Sequence, residues 1–204
     1  MTPQAGCLEW SLLGTAGVGA ADGDRELIAR ARRGELSAFD EIVRRHQRRV
    51  YNLAYRMLRR REDAEDVTQE AFLRAFQSLR GFRSEADVGV WICRITANLC
   101  VDWLRSKARR EEAADPTRIA SAYADERHRK GDELARDARA AVAQLPPKYR
   151  LAVVAFYLEG RSYEEAARVV GVGVRTLKTR LYRARRMLRE TVQETVFCDQ
   201  EVGR

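Results

Sequence analysis

The sequence predicts an all-α protein made of two small helical domains joined by a flexible linker. All four prolines lie at positions 3, 116, 146 and 147, so residues 4–115 and 148–204 lack the strongest helix breaker. Apolar residues recur at helical spacing along both stretches, and neither stretch shows the alternation of a half-buried strand. A length of 204 residues suits one domain or two small ones.

Four apolar stripes within residues 24–106 predict four successive helices in the first domain. Asp24, Ser37 and Asp63 are the predicted N-caps of the first three helices, because short polar side chains satisfy the free backbone N–H groups of a helix start. A loop at residues 81–89 precedes the fourth helix. The stripes occupy residues 27–31, 39–58, 64–79 and 90–104.

Three segments outside the domains lack a convincing helical pattern. The mildly apolar stretch 8–21 is broken by glycines and no basic residue precedes it, so residues 1–23 are interpreted as a flexible leader and not as a secretory signal. Residues 107–133 mix charges of both signs with Pro116 and indicate a solvated linker. Residues 191–204 are interpreted as a polar tail. Since no run approaches about 18 apolar residues, we expect no membrane insertion and a cytoplasmic location.

The four cysteines are scattered and predict neither a metal site nor a disulfide framework, and no cofactor is expected. Cys93 and Cys100 are seven residues apart on one helical face, which separates them by about 10 Å and is too far for a disulfide. We expect both to be small core residues in the reduced state.

The clearest local motif is a helix-turn-helix in the second domain, residues 134–190. Ser162 and Glu165 form a predicted capping box at the start of one helix, and Gly171 is suited to the left-handed position at its end. A tight turn around Gly173 leads to a second helix that runs from Arg175 to about Glu190.

The second helix of this motif carries basic residues and no acidic residue from Arg175 to Arg189, in a chain of net charge +8. A surface helix of one sign is unfavourable without an anionic partner, which predicts binding to duplex DNA through the major groove. The predicted contact residues are Arg175, Thr176, Lys178, Thr179, Arg180, Tyr182 and Arg183.

Two sets of segments, in this order, resemble regions 2 and 4 of bacterial RNA polymerase sigma factors, and the chain resembles the extracytoplasmic-function (ECF) group. The first set is DAEDVTQEAF (63–72), FRSE (82–85), WICRITAN (91–98), Asp102 and Arg105. The second is LPPKYR (145–150), YEEAA (163–167) and LKTRLYRAR (177–185). The resemblance implies a protein without catalytic activity that binds core RNA polymerase and promoter DNA.

The resemblance implies a docking surface on the third helix, facing the coiled coil of the polymerase's largest subunit. Asp63, Asp66 and Glu70 are spaced i, i+3, i+7 on one helical face, with Gln69 alongside. The alternative is an ordinary solvated face in which Asp63 only caps the helix. Region 4 would contact the polymerase flap and the minus-thirty-five element, and an anti-sigma protein is a further implied partner.

The resemblance also implies that the loop and the fourth helix capture an unstacked base of the minus-ten element. Aromatic rings offer stacking platforms, an amide can read a base edge, and arginines can hold phosphates. The alternative for Phe82 and Trp91 is a role in the core. The implied minus-ten residues are Phe82, Arg83, Trp91, Arg94, Asn98 and Arg105.

Two residues depart from the family pattern at positions that bear on the promoter preference. Gly173 replaces the usual capping Ser or Thr of the recognition helix, and Gly89 lies where it could loosen the base-capturing loop.

Two other classes of protein remain open from the residues alone. A self-sufficient helix-turn-helix repressor needs neither the acidic face nor the loop segment. A DNA-breaking recombinase lacks a nucleophile among clustered arginines, and both histidines, His46 and His128, are expected to be isolated.

Overall fold

The structure is a computed structural model that describes residues 20–82, 87–113 and 133–201. These residues form helices joined by short turns and contain no strand, which confirms the all-α prediction. A 3-10 turn, Leu79–Gly81, extends α3, and a π-helical turn, Val154–Leu158, extends α6. The helices are α1 (Ala20–Arg32), α2 (Leu36–Leu58), α3 (Arg61–Ser78), α4 (Val88–Ala113), α5 (Glu133–Gln144), α6 (Pro147–Val153), α7 (Tyr163–Val170) and α8 (Val174–Glu201).

Helix boundaries differ from the sequence prediction at three places. Helix α1 begins at Ala20, inside the predicted leader, and α4 continues to Ala113, inside the predicted linker. Helix α8 continues to Glu201, through most of the predicted tail. Charged residues without an apolar stripe still propagate a helix that a packed segment has already nucleated, because propagation is far less costly than nucleation.

The three predicted N-caps are wrong. Glu35 precedes α2 and Arg60 precedes α3, neither with a side-chain cap, so Ser37 and Asp63 lie within the first turns of their helices. Asp24 lies inside α1, where it is buried. There its Oδ2 lies 2.9 Å from Nε2 of His46, so this histidine is not isolated as expected.

The second domain follows the local sequence signals closely. The Ser162 Oγ accepts a hydrogen bond from the Glu165 backbone N–H at 3.2 Å, and the Glu165 side chain accepts one from the Ser162 N–H at 3.2 Å. Gly171 ends α7 in the left-handed region at φ 72°. The capping box and the helix-turn-helix are therefore confirmed.

Helix α4 joins the two domains into one continuous apolar core, which the sequence analysis did not predict. It packs against α2 and α3 of the first domain and against α6 and α7 of the second. Residues over a broad arc of α4 are accordingly fully buried: Ile92, Cys93, Thr96, Ala97 and Cys100. A helix buried on several sides carries an apolar surface wider than a single stripe.

Three arginines add polar contacts between the domains. In α2, Arg56 donates to the Leu158 carbonyl and the Glu159 carboxylate. Arg150, buried in α6, donates to the Met57 carbonyl at the end of α2 at 3.0 Å. The third, Arg161, contacts Cys93 of α4. Buried guanidinium groups need such acceptors, because an unpaired buried charge is strongly destabilising.

Candidate polymerase-binding and DNA-binding surfaces

The outer face of α3 carries most of the residues expected to dock on the polymerase. Asp66 and Gln69 are exposed, and the Glu70 side chain is 45% exposed while its Oε1 accepts a hydrogen bond from Arg74 Nε at 2.7 Å. The Asp63 side chain is only 15% exposed and lies 3.7 Å from Arg60 Nε. The structure therefore groups Asp66, Gln69 and Glu70, and turns Asp63 toward the interior.

Two apolar side chains on the same helix extend this surface, and sequence reasoning missed them. Leu73 is 57% exposed and Phe76 is 42% exposed. Leu73 is seven residues after Asp66 and Phe76 is seven after Gln69, so they share the face of those residues. Phe76 was predicted to be part of the third apolar stripe, and the Phe76 ring does pack edge-on against Phe39 with the centroids 5.0 Å apart. Large exposed apolar groups beside charges are typical of a protein-binding surface.

An open groove of about 390 Å³ runs between α2 and α3 beside this face. Its walls combine amide, hydroxyl, aromatic and charged groups, so it presents hydrogen-bonding groups next to the exposed acidic residues. The groove is lined by Gln47, Arg48, Tyr51, Glu65, Thr68 and Gln69.

The expected minus-ten residues divide into buried and exposed groups. Phe82 is buried, and its ring lies against Trp91 with the centroids 4.5 Å apart, whereas Trp91 is half-buried and retains open surface. Arg94, Asn98 and Arg105 are exposed along α4. Arg83 lies outside the described residues.

Asn98 lies in a second open groove, of about 450 Å³, between the end of α3 and the middle of α4. This groove brings an amide that can read a base edge together with side chains that can bind phosphate or sugar oxygens. It is lined by Arg74, Gln77, Ser78, Ile95 and Asn98.

Gly89 is the second residue of α4, and the loop residues 83–86 before it lie outside the described residues. It is buried in the first turn, and a Cβ there would lie 2.8 Å from Nδ1 of His46. The glycine therefore permits close packing of the histidine ring against the backbone. In the same turn, Asp87 Oδ1 accepts a hydrogen bond from the Val90 N–H at 2.9 Å, so the helix start is capped.

The recognition helix α8 has the two faces that its sequence predicts. Leu177, Leu181 and Ala184 are buried. Arg180 is half-buried and the other predicted contact residues are exposed: Arg175, Thr176, Lys178, Thr179, Tyr182 and Arg183. The Lys178 ammonium lies 5.0 Å from the ring centroid of Tyr163 in α7, which links the two helices of the motif.

One basic residue of α8 also contacts α6. A side-chain hydrogen bond from Arg183 keeps the pKa of the Tyr149 phenol below its usual value. The single acidic partner described along this surface is Glu190, whose Oε1 lies 3.4 Å from Arg186 Nε at the far end. The N-terminal half of α8 thus keeps its positive charge available for an anion.

Family comparisons agree with this arrangement of surfaces. Residues 42–110 match the Sigma-70 region 2 family and residues 135–188 match the Sigma-70 region 4 family. The ECF RNA polymerase sigma factor SigM of Mycobacterium tuberculosis is 37% identical over 165 residues, which cover 81% of this chain and 82% of that protein. The chain belongs to the ECF sigma factors of the sigma-70 family.

Other relatives support the same assignment. SigE of Mycolicibacterium smegmatis is 39% identical over 166 residues, which cover 76% of this chain but 62% of the longer SigE. SigW of Bacillus subtilis is 30% identical over 181 residues, covering 83% of this chain and 97% of SigW.

A solved structure also has a similar fold. It is that of CnrH in complex with the cytosolic domain of CnrY, with a TM-score of 0.62 and 28% identity, covering 85% of this chain and 99% of that chain.

Family membership decides between the classes left open by the residues. This sigma factor binds core RNA polymerase and recognises promoters, and it is not an enzyme. It is therefore neither a self-sufficient repressor nor a recombinase. No helix among the described residues is both long enough and apolar enough to cross a membrane.

Proposed function

We propose that this sigma factor uses three separate surfaces in transcription initiation. The outer face of α3, with Asp66, Gln69 and Glu70, docks on the coiled coil of the polymerase's largest subunit. The exposed side of α4 reads the melted minus-ten element, and the N-terminal half of α8 reads the minus-thirty-five element. The observation that carries the proposal is that the acidic and apolar face of α3 is separate from the arginine-bearing surfaces of α4 and α8.

The charges and contacts of each surface support its assignment. An acidic face with exposed Leu73 and Phe76 suits a protein partner, because apolar groups supply affinity and charges supply orientation. The face of α8 that carries basic residues and no acidic residue suits contacts to duplex phosphates and base edges. On α4, the half-buried Trp91 and exposed Asn98 suit an unstacked base and not a duplex.

The two DNA-reading surfaces are not both usable while the domains remain packed together. A Cβ at Gly171, in the helix-turn-helix, would lie 3.3 Å from Arg94 Nε on α4. The positions in their names, minus thirty-five and minus ten, place the two elements about 25 base pairs apart, which is about 85 Å of duplex at 3.4 Å per base pair. We infer that region 4 leaves α4 when the sigma factor engages polymerase and promoter.

An anti-sigma protein is a proposed partner of this packed form. The RpoE sigma factor of Bartonella quintana has been solved in complex with the anti-sigma factor NepR, and its fold is similar to that of this chain, with a TM-score of 0.61 and 24% identity. We also propose that region 4 contacts the flap of the polymerase. A cytoplasmic location is proposed as well, because the protein acts on polymerase and promoter DNA.

A mobility-shift assay at about 0.15 M salt, with and without core polymerase, tests the proposal. The free chain should bind promoter duplex weakly and without sequence preference, and core polymerase should produce specific binding and strand opening. The matched control replaces the promoter with a scrambled duplex of equal length. Tight, specific binding by the chain alone would contradict the proposal.

A further inference from the structure

Helix α1 lies outside both family matches, yet its side chains reach the two described ends of the loop between α3 and α4. We propose that α1 is a brace that fixes both ends of this loop, with Arg32 and Asp24 as positioning residues for minus-ten recognition. The inference rests on the proposed function of Phe82 and Trp91, and it assigns a role in promoter opening to an element outside the proposed DNA-binding surfaces.

Arg32 holds the upstream end of the loop. Its Nε donates to the Leu79 carbonyl at 3.1 Å, and its Nη2 donates to the Phe82 carbonyl. The Leu79 carbonyl also accepts the Phe82 N–H at 3.2 Å, and a carbonyl oxygen can accept two hydrogen bonds. A cation at this helix end also meets the negative end of the helix dipole. A guanidinium can bind two acceptors at once in a fixed geometry, so it fixes the direction in which the chain leaves α3.

Fixing the Phe82 backbone also fixes the aromatic pair that it forms. The Phe82 ring is buried against Trp91, and Trp91 itself is only half-buried. Trp91 is thus a stacking platform whose position depends on Phe82, and the position of Phe82 depends in turn on Arg32. A displacement of the Phe82 backbone would tilt or release this platform without touching any DNA-contacting atom.

Asp24 holds the downstream end through one intermediate residue. Its two carboxylate oxygens are engaged by Arg45 Nη1 at 3.1 Å and by His46 Nε2 at 2.9 Å. The Nδ1–Cε1 edge of the His46 ring packs against Gly89 at the start of α4. Asp24 therefore fixes the position of the His46 ring. This ring supports the first turn of α4 at Gly89, two residues before Trp91.

Arg32 and Asp24 both hold the ends of the loop in place, which lowers the entropic cost of ordering the platform when DNA binds. Stacking of a single base on an aromatic ring is a modest source of affinity, and it is lost if the platform must first be ordered. Holding the two loop ends in the unbound protein makes the platform available before the strand arrives. The brace therefore contributes to strand capture and not to polymerase docking.

The experiment measures binding of a fluorescent single-stranded minus-ten oligonucleotide to holoenzyme assembled with Arg32→Ala. We expect affinity to fall on the order of fivefold, with core polymerase affinity unchanged, because a charge-assisted pair of hydrogen bonds is lost. Arg32→Lys should recover part of the affinity, since one donor can still reach a carbonyl. Arg33→Ala, at the residue directly after α1, is the matched control, because Arg33 pairs only with Glu26 and Glu35 among the described residues.

Trp91→Ala in the same assay separates failure of the inference from failure of the proposed function. If Trp91→Ala weakens oligonucleotide binding and Arg32→Ala does not, the brace is wrong and the minus-ten assignment stands. If neither variant weakens binding, the minus-ten assignment itself fails. Should Arg32→Ala fold poorly by circular dichroism, Arg32→Gln serves instead, and wild-type affinity in that variant also overturns the brace.

Discussion

Arg161, just before α7, donates a hydrogen bond from Nη2 to the Sγ of Cys93 in α4, 3.3 Å away across the contact between the two domains. The Arg161 side chain is 2% exposed, and its Nε and Nη1 have no hydrogen-bond partner among the described residues. Its charge is compensated by Glu159, whose Oε2 lies 3.7 Å away and whose Oε1 binds Arg56 of α2. A buried cation and its acid thus lie at the point where region 4 meets region 2.

Arg161→Glu should separate the domains, because it places a second carboxylate beside Glu159 in a buried site. Breaking a buried ion pair in this way costs about 3–5 kcal/mol. Small-angle X-ray scattering should report a larger radius of gyration, while circular dichroism shows retained helix. Arg168→Glu, on the exposed side of α7, is the control and should leave the radius unchanged. An unchanged radius in Arg161→Glu would show that this contact does not hold the domains together.

Burial of Cys100 predicts a loss of stability at high pH. Burial raises the pKa of this thiol from 9.0 to about 12. Between these two pH values the unfolded chain releases a proton that the folded chain retains, so the free energy of unfolding falls as pH rises, by up to about 1.4 kcal/mol per pH unit. Below pH 9 the contribution is fully present. Urea unfolding at pH 8 and pH 10 should show this slope, and Cys100→Ala should reduce it; an equal slope in Cys100→Ala would assign the effect to other groups.

Gly89→Ala should destabilise the first domain, although alanine normally favours a helix over glycine by roughly 0.5–1 kcal/mol. The reason is the 2.8 Å approach of His46 Nδ1 to the added Cβ. His46→Ala removes the ring, so the double variant should recover part of the loss, and a double-mutant cycle should give a coupling of about 0.5–3 kcal/mol. Thermal melts of the four proteins measure it, and strictly additive effects would argue against this contact.

Docking on polymerase should depend on Asp66 and Glu70 and much less directly on Asp63. Reversing both charges with Asp66→Lys and Glu70→Lys should weaken binding to core polymerase on the order of tenfold or more, because the charges that orient the proposed docking face then have the wrong sign. Folding should be nearly unchanged, since exposed helix substitutions stay within about 0.5 kcal/mol. Asp40→Lys on the exposed surface of α2 is the matched charge control. Normal polymerase affinity in the folded double variant would remove the docking assignment.

The two helices that are proposed to read DNA should respond differently to substitution. Arg175→Ala with Lys178→Ala should weaken protection of the minus-thirty-five element, because both groups lie at the N-terminal end of the recognition helix. Asn98→Ala should leave that protection intact and reduce opening at the minus-ten element. Footprinting with duplex-specific and single-strand-specific probes separates the effects. Loss of upstream protection alone in Asn98→Ala would contradict this division.

Local signals in the sequence determined the helices and the helix-turn-helix of this sigma factor. The capping box of Ser162 and Glu165, the left-handed Gly171 and the apolar side of α8 all depend on residues within a few positions of one another. Their geometry is fixed by the backbone of a single helix or turn, so spacing alone predicts it. The acid-free face of α8 was predicted for the same reason.

Contacts between distant segments were decided only by the tertiary structure. Periodicity places a residue on a helix face but does not say what that face meets, so it gave no sign that Asp63 turns inward or that Leu73 stays exposed. The wide apolar arc of α4 was the one available signal of the domain contact, since a helix needs so broad a surface only when it packs on several sides. Partners such as Arg32 with Phe82, 50 residues apart, become neighbours only when whole helices pack together.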